Sequence, residues 1–345
     1  MEDRRAPVGR RKPRPIQIEA YPSGKRTDQW IPLFEDALGA PIEVPFIIAR
    51  GARPGPVLGI TAAVHGNELN GIKIILNLLE DLPLKRLTGA LLCVPTVNVP
   101  GFNAGTREFS DGADLNQVFP GSADGTPSQQ YVRAFVSTFL PPCTHLIDIH
   151  TASEGWMNTL YVRADLSSES CRRIAYGFNP QIILHAPPNR QTLRATAARK
   201  GIAAVTVEAG SANVIHGKTV YEAEVGIRNI MTALEMLDGA AREQREPFVC
   251  GRSRWLRTTG GGLLETYFKL YQILEKGQLL GIVRDAFGNE LRRYVAPFSG
   301  VVIARATNPV ATPGLRFCHL GDVGSDPFPP SGVNLDGASS QQQSR

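Results

Sequence analysis

The amino-acid sequence predicts an α/β fold, in which a mixed, mostly parallel sheet carries helices on both faces and a small all-β part follows. From about residue 40 to residue 250, strand-like and helix-like segments alternate, which is the pattern of sheets covered by helices. Several of the strand-like runs are apolar throughout, as strands buried inside parallel sheets are. After residue 250 the helical periodicity disappears, and short strand-like pieces alternate with Gly and Pro turns.

The elements of the larger part follow one another with turn or capping signals between them. In chain order they are strands at 42–50 and 56–64, a helix at 68–81, a strand at 90–97, a loop from 98 to 125, a helix at 128–140, strands at 145–150 and 202–207, and a helix at 219–237. The sequence ARPG between the first two strands predicts a hairpin-like turn. Ser128 is the expected N-cap of its helix. A loop as long as the one after residue 98 usually has a function.

These patterns divide the chain into four parts. We expect a basic disordered tail at 1–24, an α/β domain at 25–250, a β-barrel or sandwich-like domain at 251–323 and a flexible tail at 324–345. The N-terminal tail holds most of the formal net charge of +5. An arginine-rich tail can touch nucleic acid, but it has no interleaved aromatic residues and no recognisable binding fold behind it. We therefore interpret it as a solvated tail.

The composition excludes several classes of protein. No apolar run reaches the roughly 18 residues that a membrane-spanning helix needs. The basic N-terminus is not followed by an apolar segment, so it does not resemble a secretory signal. The five cysteines are scattered and form no CxxC pair, which is typical of reduced structural thiols. These features predict a cytoplasmic protein.

Polar side chains lie where apolar strand-like runs end. His65 ends the run GITAAVH, Glu68 follows three residues later, and His150 ends the run HLIDIH. Because ligand sites of open α/β sheets lie beyond the carboxyl ends of the strands, we expect these three side chains to converge. Two His and one Glu are a common ligand set of catalytic zinc, with a fourth position left for water. The sequence therefore predicts one zinc ion per chain.

Further polar residues fit a hydrolytic role beside such a metal. Glu208 ends the run IAAVTV and is the candidate general base, and Arg107 in the long loop is the candidate cation for a developing oxyanion. Asp148 shares a strand face with His150 and could orient that ring or hold an arginine. Each residue alone is also compatible with a structural role, such as a core histidine or a capping carboxylate. The set favours a site, because buried polar groups are costly unless they are paired or ligated.

Four motifs occur in an order that resembles a known family. They are HGNE at 65–68, TREFSDGADLNQVFPG at 106–121, DIHT at 148–151 and VEAG at 207–210. Together they resemble the succinylglutamate desuccinylase and aspartoacylase family, within the zinc carboxypeptidase-like superfamily. The resemblance runs from about residue 45 to about residue 320. The C-terminal piece GQLLGIVRDAFGNELRRYVAPFSGVV looks like the β-domain of that family.

The resemblance implies a role for each matching residue. Glu208 would be the general base and acid, and Arg107 would polarise the scissile carbonyl. The implied zinc ligands are His65, Glu68 and His150.

The chain departs from the family pattern at one substrate-binding position. Asn116 and the next residue match an Asn-Arg pair that grips the carboxylate of the substrate, but the second residue here is Gln117. Glutamine donates hydrogen bonds without the charge or the two-pronged geometry of arginine. Either Arg163 or Arg190 supplies the missing charge, or the substrate lacks that carboxylate.

The sequence thus predicts a zinc-dependent amidohydrolase that removes an acyl group from an N-acylated amino acid or a related small amine. Two alternatives stay open, a metallocarboxypeptidase acting on peptides or peptidoglycan fragments, and a non-catalytic protein on a hydrolase fold. The predicted partners are a small-molecule N-acyl substrate and a possible second copy of the chain, without nucleic acid or membrane.

Overall fold

A nine-stranded mixed sheet is the centre of the computed structural model, which describes residues 14–188, 191–239 and 246–323. The strands of the first 250 residues are β1 (Lys25–Glu35), β2 (Pro41–Arg50), β3 (Arg53–Ala62), β4 (Thr88–Val94), β5 (His145–Ala152), β6 (Trp156–Asn158), β7 (Tyr161–Ala164), β8 (Ile182–His185), β9 (Ala203–Ser211) and β10 (Phe248–Cys250). All except β6 join this sheet, in the order β1-β2-β4-β3-β5-β9-β7-β8-β10. Its centre, from β4 through β3 and β5 to β9, is parallel, which confirms the predicted mixed, mostly parallel sheet.

Helices cover both faces of this sheet. The helices of the described chain are α1 (Asn70–Glu80), α2 (Val99–Ala104), α3 (Pro127–Phe139), α4 (Glu169–Gly177), α5 (Leu193–Ala198) and α6 (Gly217–Ala233). Along β5, Ile147 and Ile149 belong to a buried cluster that includes residues of α1, α4 and α6. Leu146, the residue before Ile147, points the other way into a cluster with α3 and α5. Alternate residues of this strand are thus buried in two separate cores, one on each face of the sheet, because successive side chains of a β-strand point to opposite faces.

Three local predictions were wrong, the first being the uninterrupted loop at 98–125, which contains α2 and a short 3-10 helix. β2 and β3 are not a hairpin, since β4 lies between them in the sheet. The hairpin partner of β2 is β1, which the sequence analysis did not predict. Ser128 does not cap α3, because the N-cap is Thr126. The Thr126 side chain accepts from the backbone N–H of Gln129, and the Gln129 side chain accepts from the backbone N–H of Thr126. Pro127 is the first residue of the helix.

The folded chain begins earlier than the predicted tail boundary at residue 24. Ile16 and Ile18 are buried in the core that contains α3. The backbone N–H of Ile16 donates to the carbonyl of Thr138 over 3.0 Å. Residues 1–13 of the predicted basic tail, and the predicted tail at 324–345, lie outside the described residues.

The remaining strands form two smaller antiparallel sheets. They are β11 (Arg252–Arg257), β12 (Gly262–Thr266), β13 (Ile273–Leu274), β14 (Leu279–Arg284), β15 (Glu290–Val295), β16 (Gly300–Ala306), β17 (Val310–Ala311) and β18 (Arg316–Asp322). One sheet has the order β11-β18-β16-β13, and the other has the order β15-β14-β12-β17. Between residues 246 and 323 the described chain forms no helix. The division into separate domains at residue 250 stays a prediction.

Two sets of contacts near the candidate site tie the small sheets to the first part of the chain. β6 pairs with β16, with Asn158 opposite Ala304. A separate buried cluster joins Tyr161 of β7 to Val301 and Ile303 of β16. None of the helices in the described ranges is long and apolar enough to cross a membrane.

Candidate active site

Three buried side chains converge beyond the carboxyl ends of β3 and β5. The Nδ1 atom of His65 lies 2.7 Å from Oε1 of Glu68, and the Nδ1 atom of His150 lies 3.1 Å from Oε2 of the same carboxylate. The two Nδ1 atoms are 3.2 Å apart. Each of the three residues can offer one ligand atom within 4.8 Å of the other two. The structure therefore brings together the three residues that the sequence predicts as metal ligands.

An aspartate contacts the Nε2 atom of each imidazole, on the side of the ring away from Glu68. Nε2 of His65 lies 3.0 Å from Oδ1 of Asp114, and Nε2 of His150 lies 2.9 Å from Oδ2 of Asp148. Oδ1 of Asp148 accepts a second hydrogen bond, from the hydroxyl of Thr61 over 2.7 Å. Carboxylates accept hydrogen bonds, so each Nε2 donates to its aspartate. A bound cation would take the lone pair of each Nδ1, which otherwise shares a proton with the Glu68 carboxylate.

These donors fit a divalent cation. The two imidazole Nδ1 atoms and the Glu68 carboxylate converge on one point. They would repel one another there unless a cation or shared protons lay between them. Nitrogen and carboxylate oxygen are ligands that zinc accepts, and an outer carboxylate behind a ligating histidine is the usual arrangement of zinc sites. The residues present therefore fit the zinc ion that the sequence predicts.

The backbone of the sheet positions the cluster. His150 and Glu208 are Cα partners on the neighbouring parallel strands β5 and β9. Ala63, just past the end of β3, has a φ of 49°, which takes the chain out of the strand direction before the histidine of the HGNE motif. The glycine of that motif is required by space, because a Cβ on Gly66 would lie 2.0 Å from the carbonyl carbon of Gly101.

Burial and charge act against each other in the cluster. Burial favours a protonated Glu68, but the charge of His65 and the hydrogen bond from His150 outweigh it and hold the pKa of Glu68 far below its usual range. Burial lowers the pKa of His150, but the charge and hydrogen bond of Asp148 outweigh it and raise that pKa well above its usual value. The cluster is thus a strongly coupled set of ionised groups.

Glu208 has the environment of a proton-transfer group. Its Oε2 atom accepts a hydrogen bond from Nδ2 of Asn158 over 2.9 Å, and its Oε1 atom lies 3.8 Å from NH1 of Arg163. Burial raises the pKa of Glu208, although the charges of His150 and Arg163 oppose that shift. A carboxyl group whose pKa is raised toward neutrality is suited to take up and return a proton.

The predicted loop cation reaches the cluster. NH1 of Arg107 donates to Oε1 of Glu68 and to the hydroxyl of Ser153, each over 3.0 Å. NH2 of Arg107 donates to Oδ2 of Asp114, also over 3.0 Å. These bonds use three of the five N–H donors of a guanidinium group. Within the described ranges, no further hydrogen bond of the two remaining donors is seen.

Of the predicted substrate-binding residues, Asn116 and Gln117 lie on a short 3-10 helix directly after Asp114. Nε2 of Gln117, an exposed residue, donates to Oδ2 of Asp114 over 3.1 Å. Oδ1 of Asn116 accepts from the backbone N–H of Leu193 at the start of α5, over 3.1 Å. Arg163 lies beside the general-base candidate, as described above, and Arg190 lies outside the described residues.

Several residues of the site were not predicted from the sequence. Asp114 behind His65, Ser153 beside the loop cation and Asn158 on Glu208 were not singled out. Arg194 was missed as well, although it is buried at the start of α5 and donates to the carbonyl of Ala186 over 2.7 Å. Burial and the nearby charge of Arg163 lower the pKa of Arg194 to about 10.

The fold and the cluster define a class of protein, in which a mostly parallel sheet carries a two-His, one-Glu site at the carboxyl ends of its strands. Residues 54–234 match the succinylglutamate desuccinylase/aspartoacylase catalytic domain, and the chain belongs to this family. The resemblance expected from the four motifs is therefore confirmed. The family's name describes deacylating hydrolases, which places the chain among hydrolases by membership.

Individual relatives are similar over most of their length. The N-alpha-acetyl-L-2,4-diaminobutyric acid deacetylase of Halomonas elongata is 26% identical over 285 residues, which are 79% of this chain and 83% of the relative. The product-bound structure of the ectoine utilization protein EutE from Ruegeria pomeroyi gives a TM-score of 0.77 at 23% identity, over 86% of this chain and 95% of the other. The structure of a succinylglutamate desuccinylase/aspartoacylase from Rhodobacter sphaeroides gives a TM-score of 0.77 at 22% identity, with the same coverage. At these identities the two structures establish a shared fold.

Proposed function

We propose that the protein is a zinc-dependent amidohydrolase that removes an acyl group from an N-acylated amino acid or a related small amine. The observation that carries this proposal is the convergence of two imidazole Nδ1 atoms and the Glu68 carboxylate, with Glu208 buried on the next strand. Membership of a deacylase family supports it. So does the similarity to a deacetylase from Halomonas elongata.

The residues divide the chemistry among them. Zinc held by His65, Glu68 and His150 would polarise the substrate carbonyl and lower the pKa of a bound water. Glu208 takes a proton from the attacking water and returns it to the leaving amine, as its raised pKa permits. Arg107 offers its two unused N–H groups to the developing oxyanion.

A pair of arginines supports an acidic substrate. Gln117 carries no charge, but Arg163 and Arg194 lie close enough for the first to lower the pKa of the second. Among the described residues, Arg194 forms no ion pair with a carboxylate within 4.0 Å. A substrate carboxylate would relieve the repulsion between the two cations, which favours an N-acyl amino acid over an uncharged amide.

The test is a substrate screen on the zinc-loaded protein. The panel holds N-acetyl, N-succinyl and longer N-acyl amino acids, each paired with the matching amide that lacks the α-carboxylate, and release of the free amine is measured. We expect hydrolysis of at least one N-acyl amino acid, at least roughly tenfold faster in kcat/KM than its uncharged partner. No amine release from any member, with zinc bound, would overturn the proposal.

The alternative functions have less support. A carboxypeptidase has less support because the matched family and the relative from Halomonas elongata are named for deacylation. A non-catalytic protein would not need Arg107 and Glu208 beside an intact ligand set. Preferential cleavage of short peptides in the same screen would reverse this ranking. A cytoplasmic location and a homo-oligomer remain proposals.

A further inference from the structure

The carboxylate of Glu208 is held by a side chain from outside the nine-stranded sheet. Nδ2 of Asn158 donates to Oε2 of Glu208 over 2.9 Å, and both side chains are buried. Asn158 is the last residue of β6, the only strand of the first 250 residues that joins a different sheet among the described ranges. The position of this amide therefore depends on the sheet to which β6 belongs.

That sheet fixes Asn158 through backbone contacts. β6 pairs antiparallel with β16, with Asn158 opposite Ala304. The next residue, Thr159, donates its backbone N–H to the carbonyl of Ile303 over 2.9 Å and its hydroxyl to the same carbonyl over 3.1 Å. These bonds leave the Asn158 backbone little freedom.

The chemistry of an amide suits this contact. A general base must present one carboxylate oxygen to the proton it takes, and a carboxylate free to rotate about its last bond does not do so reliably. The amide of Asn158 binds Oε2, and among the described residues the one side chain paired with Oε1 is that of Arg163, at 3.8 Å. A neutral amide orients the carboxylate without adding a second full charge to that of Arg163, which already opposes the rise in the pKa of Glu208.

We propose that Asn158 is a positioning residue for Glu208, held in place by β16, and that it selects Oε1 as the oxygen that exchanges the proton. The inference rests on the proposed hydrolytic function. It assigns part of the active-site geometry to the C-terminal sheets, through one strand that they share with the first part of the chain.

The kinetic test compares two substitutions at the same junction. Asn158→Leu keeps the approximate size of the side chain and removes the donor, while Thr159→Val removes a hydroxyl that bonds β16 but does not touch Glu208. We expect Asn158→Leu to lower kcat by about 10- to 100-fold with KM and zinc content nearly unchanged, because misplaced groups cost about that much. Thr159→Val should keep kcat within about twofold. An equal loss in both variants would mean that the junction matters and the amide contact does not.

A second measurement does not need turnover. The side-chain amide resonance of Asn158 is recorded by NMR in protein labelled with ¹⁵N-asparagine. It is assigned as the resonance that is lost in Asn158→Leu. It should move in Glu208→Gln and stay in place in Thr159→Val. If this resonance does not move in Glu208→Gln, the contact between Asn158 and Glu208 is refuted. If the wild-type protein hydrolyses no N-acyl compound, the proposed function fails while this measurement still reports on the contact.

Discussion

The Nδ1 atoms of His65 and His150 face each other at 3.2 Å, and each ring is held at its far nitrogen by a different aspartate. Asp148 lies on the same strand as its histidine, whereas Asp114 comes from the long loop after α2. The position of the His150 ring is thus fixed within the sheet, whereas the position of the His65 ring depends on the loop.

The loop aspartate should matter for metal affinity. Asp114→Asn replaces a carboxylate by a weaker acceptor behind His65, and we expect zinc affinity to fall by about 10- to 100-fold. Competition with a chromophoric chelator measures this. Asp111→Asn is the matched control, because Asp111 lies in the same loop and accepts from the backbone of Ser128. Equal zinc affinity in both variants would contradict the role of Asp114.

The loop cation should matter for the transition state. Arg107→Ala removes a donor to the oxyanion, and the loss of about 3 to 4 kcal/mol lowers kcat by about two to three orders of magnitude. Arg107→Lys keeps the charge but loses the two-pronged donor geometry of the guanidinium group, so its kcat should lie between those of Arg107→Ala and the wild type. Zinc content is measured alongside, because Arg107 also contacts the Glu68 carboxylate. A variant that retains zinc and the wild-type kcat would refute this assignment.

The buried carboxylate should be separable from metal binding. Glu208→Ala is expected to abolish turnover while the protein still binds one zinc per chain, because Glu208 is the proposed base and not a ligand. Steady-state kinetics and elemental analysis of the same sample give both values. A near wild-type rate at saturating substrate would show that another group activates the water.

The buried arginine should act on substrate binding. Arg194→Met keeps much of the buried volume and removes the charge, so KM for an N-acyl amino acid should rise by at least about tenfold. The matched amide without the carboxylate serves as the control and should bind the two proteins alike. A KM that rises equally for both substrates would point to a structural role for Arg194.

His319 should make the fold sensitive to acid. Burial, with the charges of Arg163 and Arg316, lowers its pKa from 6.5 to about 3, so the unfolded chain binds a proton there more readily than the folded chain. Stability is therefore lost as pH falls from about 6.5 toward 3, by at most about 1.4 kcal/mol per pH unit. Urea unfolding of wild type and His319→Gln between pH 4.5 and 7 should show a shallower decline in the variant. Parallel declines would exclude His319 as the cause.

Residues at the ends of apolar strands were predictable from the sequence. His65, His150 and Glu208 each end an apolar run that is typical of a buried strand, and the register of parallel strands then brings them to one edge. The hairpin between β2 and β3 was wrong because a local turn signal cannot show that β4 is inserted between them.

Other residues of the site had no periodic signal. Asp114 lies in a loop of irregular backbone, where spacing in the sequence says little about spacing in the fold. Arg194 is flanked by Leu193 and Ala195, and its burial follows from packing of α5 that the helical pattern alone does not reveal. Asn158 reaches Glu208 only because a strand from far along the chain pairs with β6.

The pairing of β6 with β16 also bears on how members of this family can exchange parts by recombination. A crossover at residue 250 would separate Asn158 from its sheet partner Ala304 and Tyr161 from Ile303 in their shared buried cluster, since each pair would then come from two different parents. Such chimeras would have mismatched cores beside the base. Crossovers that move residues 156–161 together with the C-terminal sheets should survive more often.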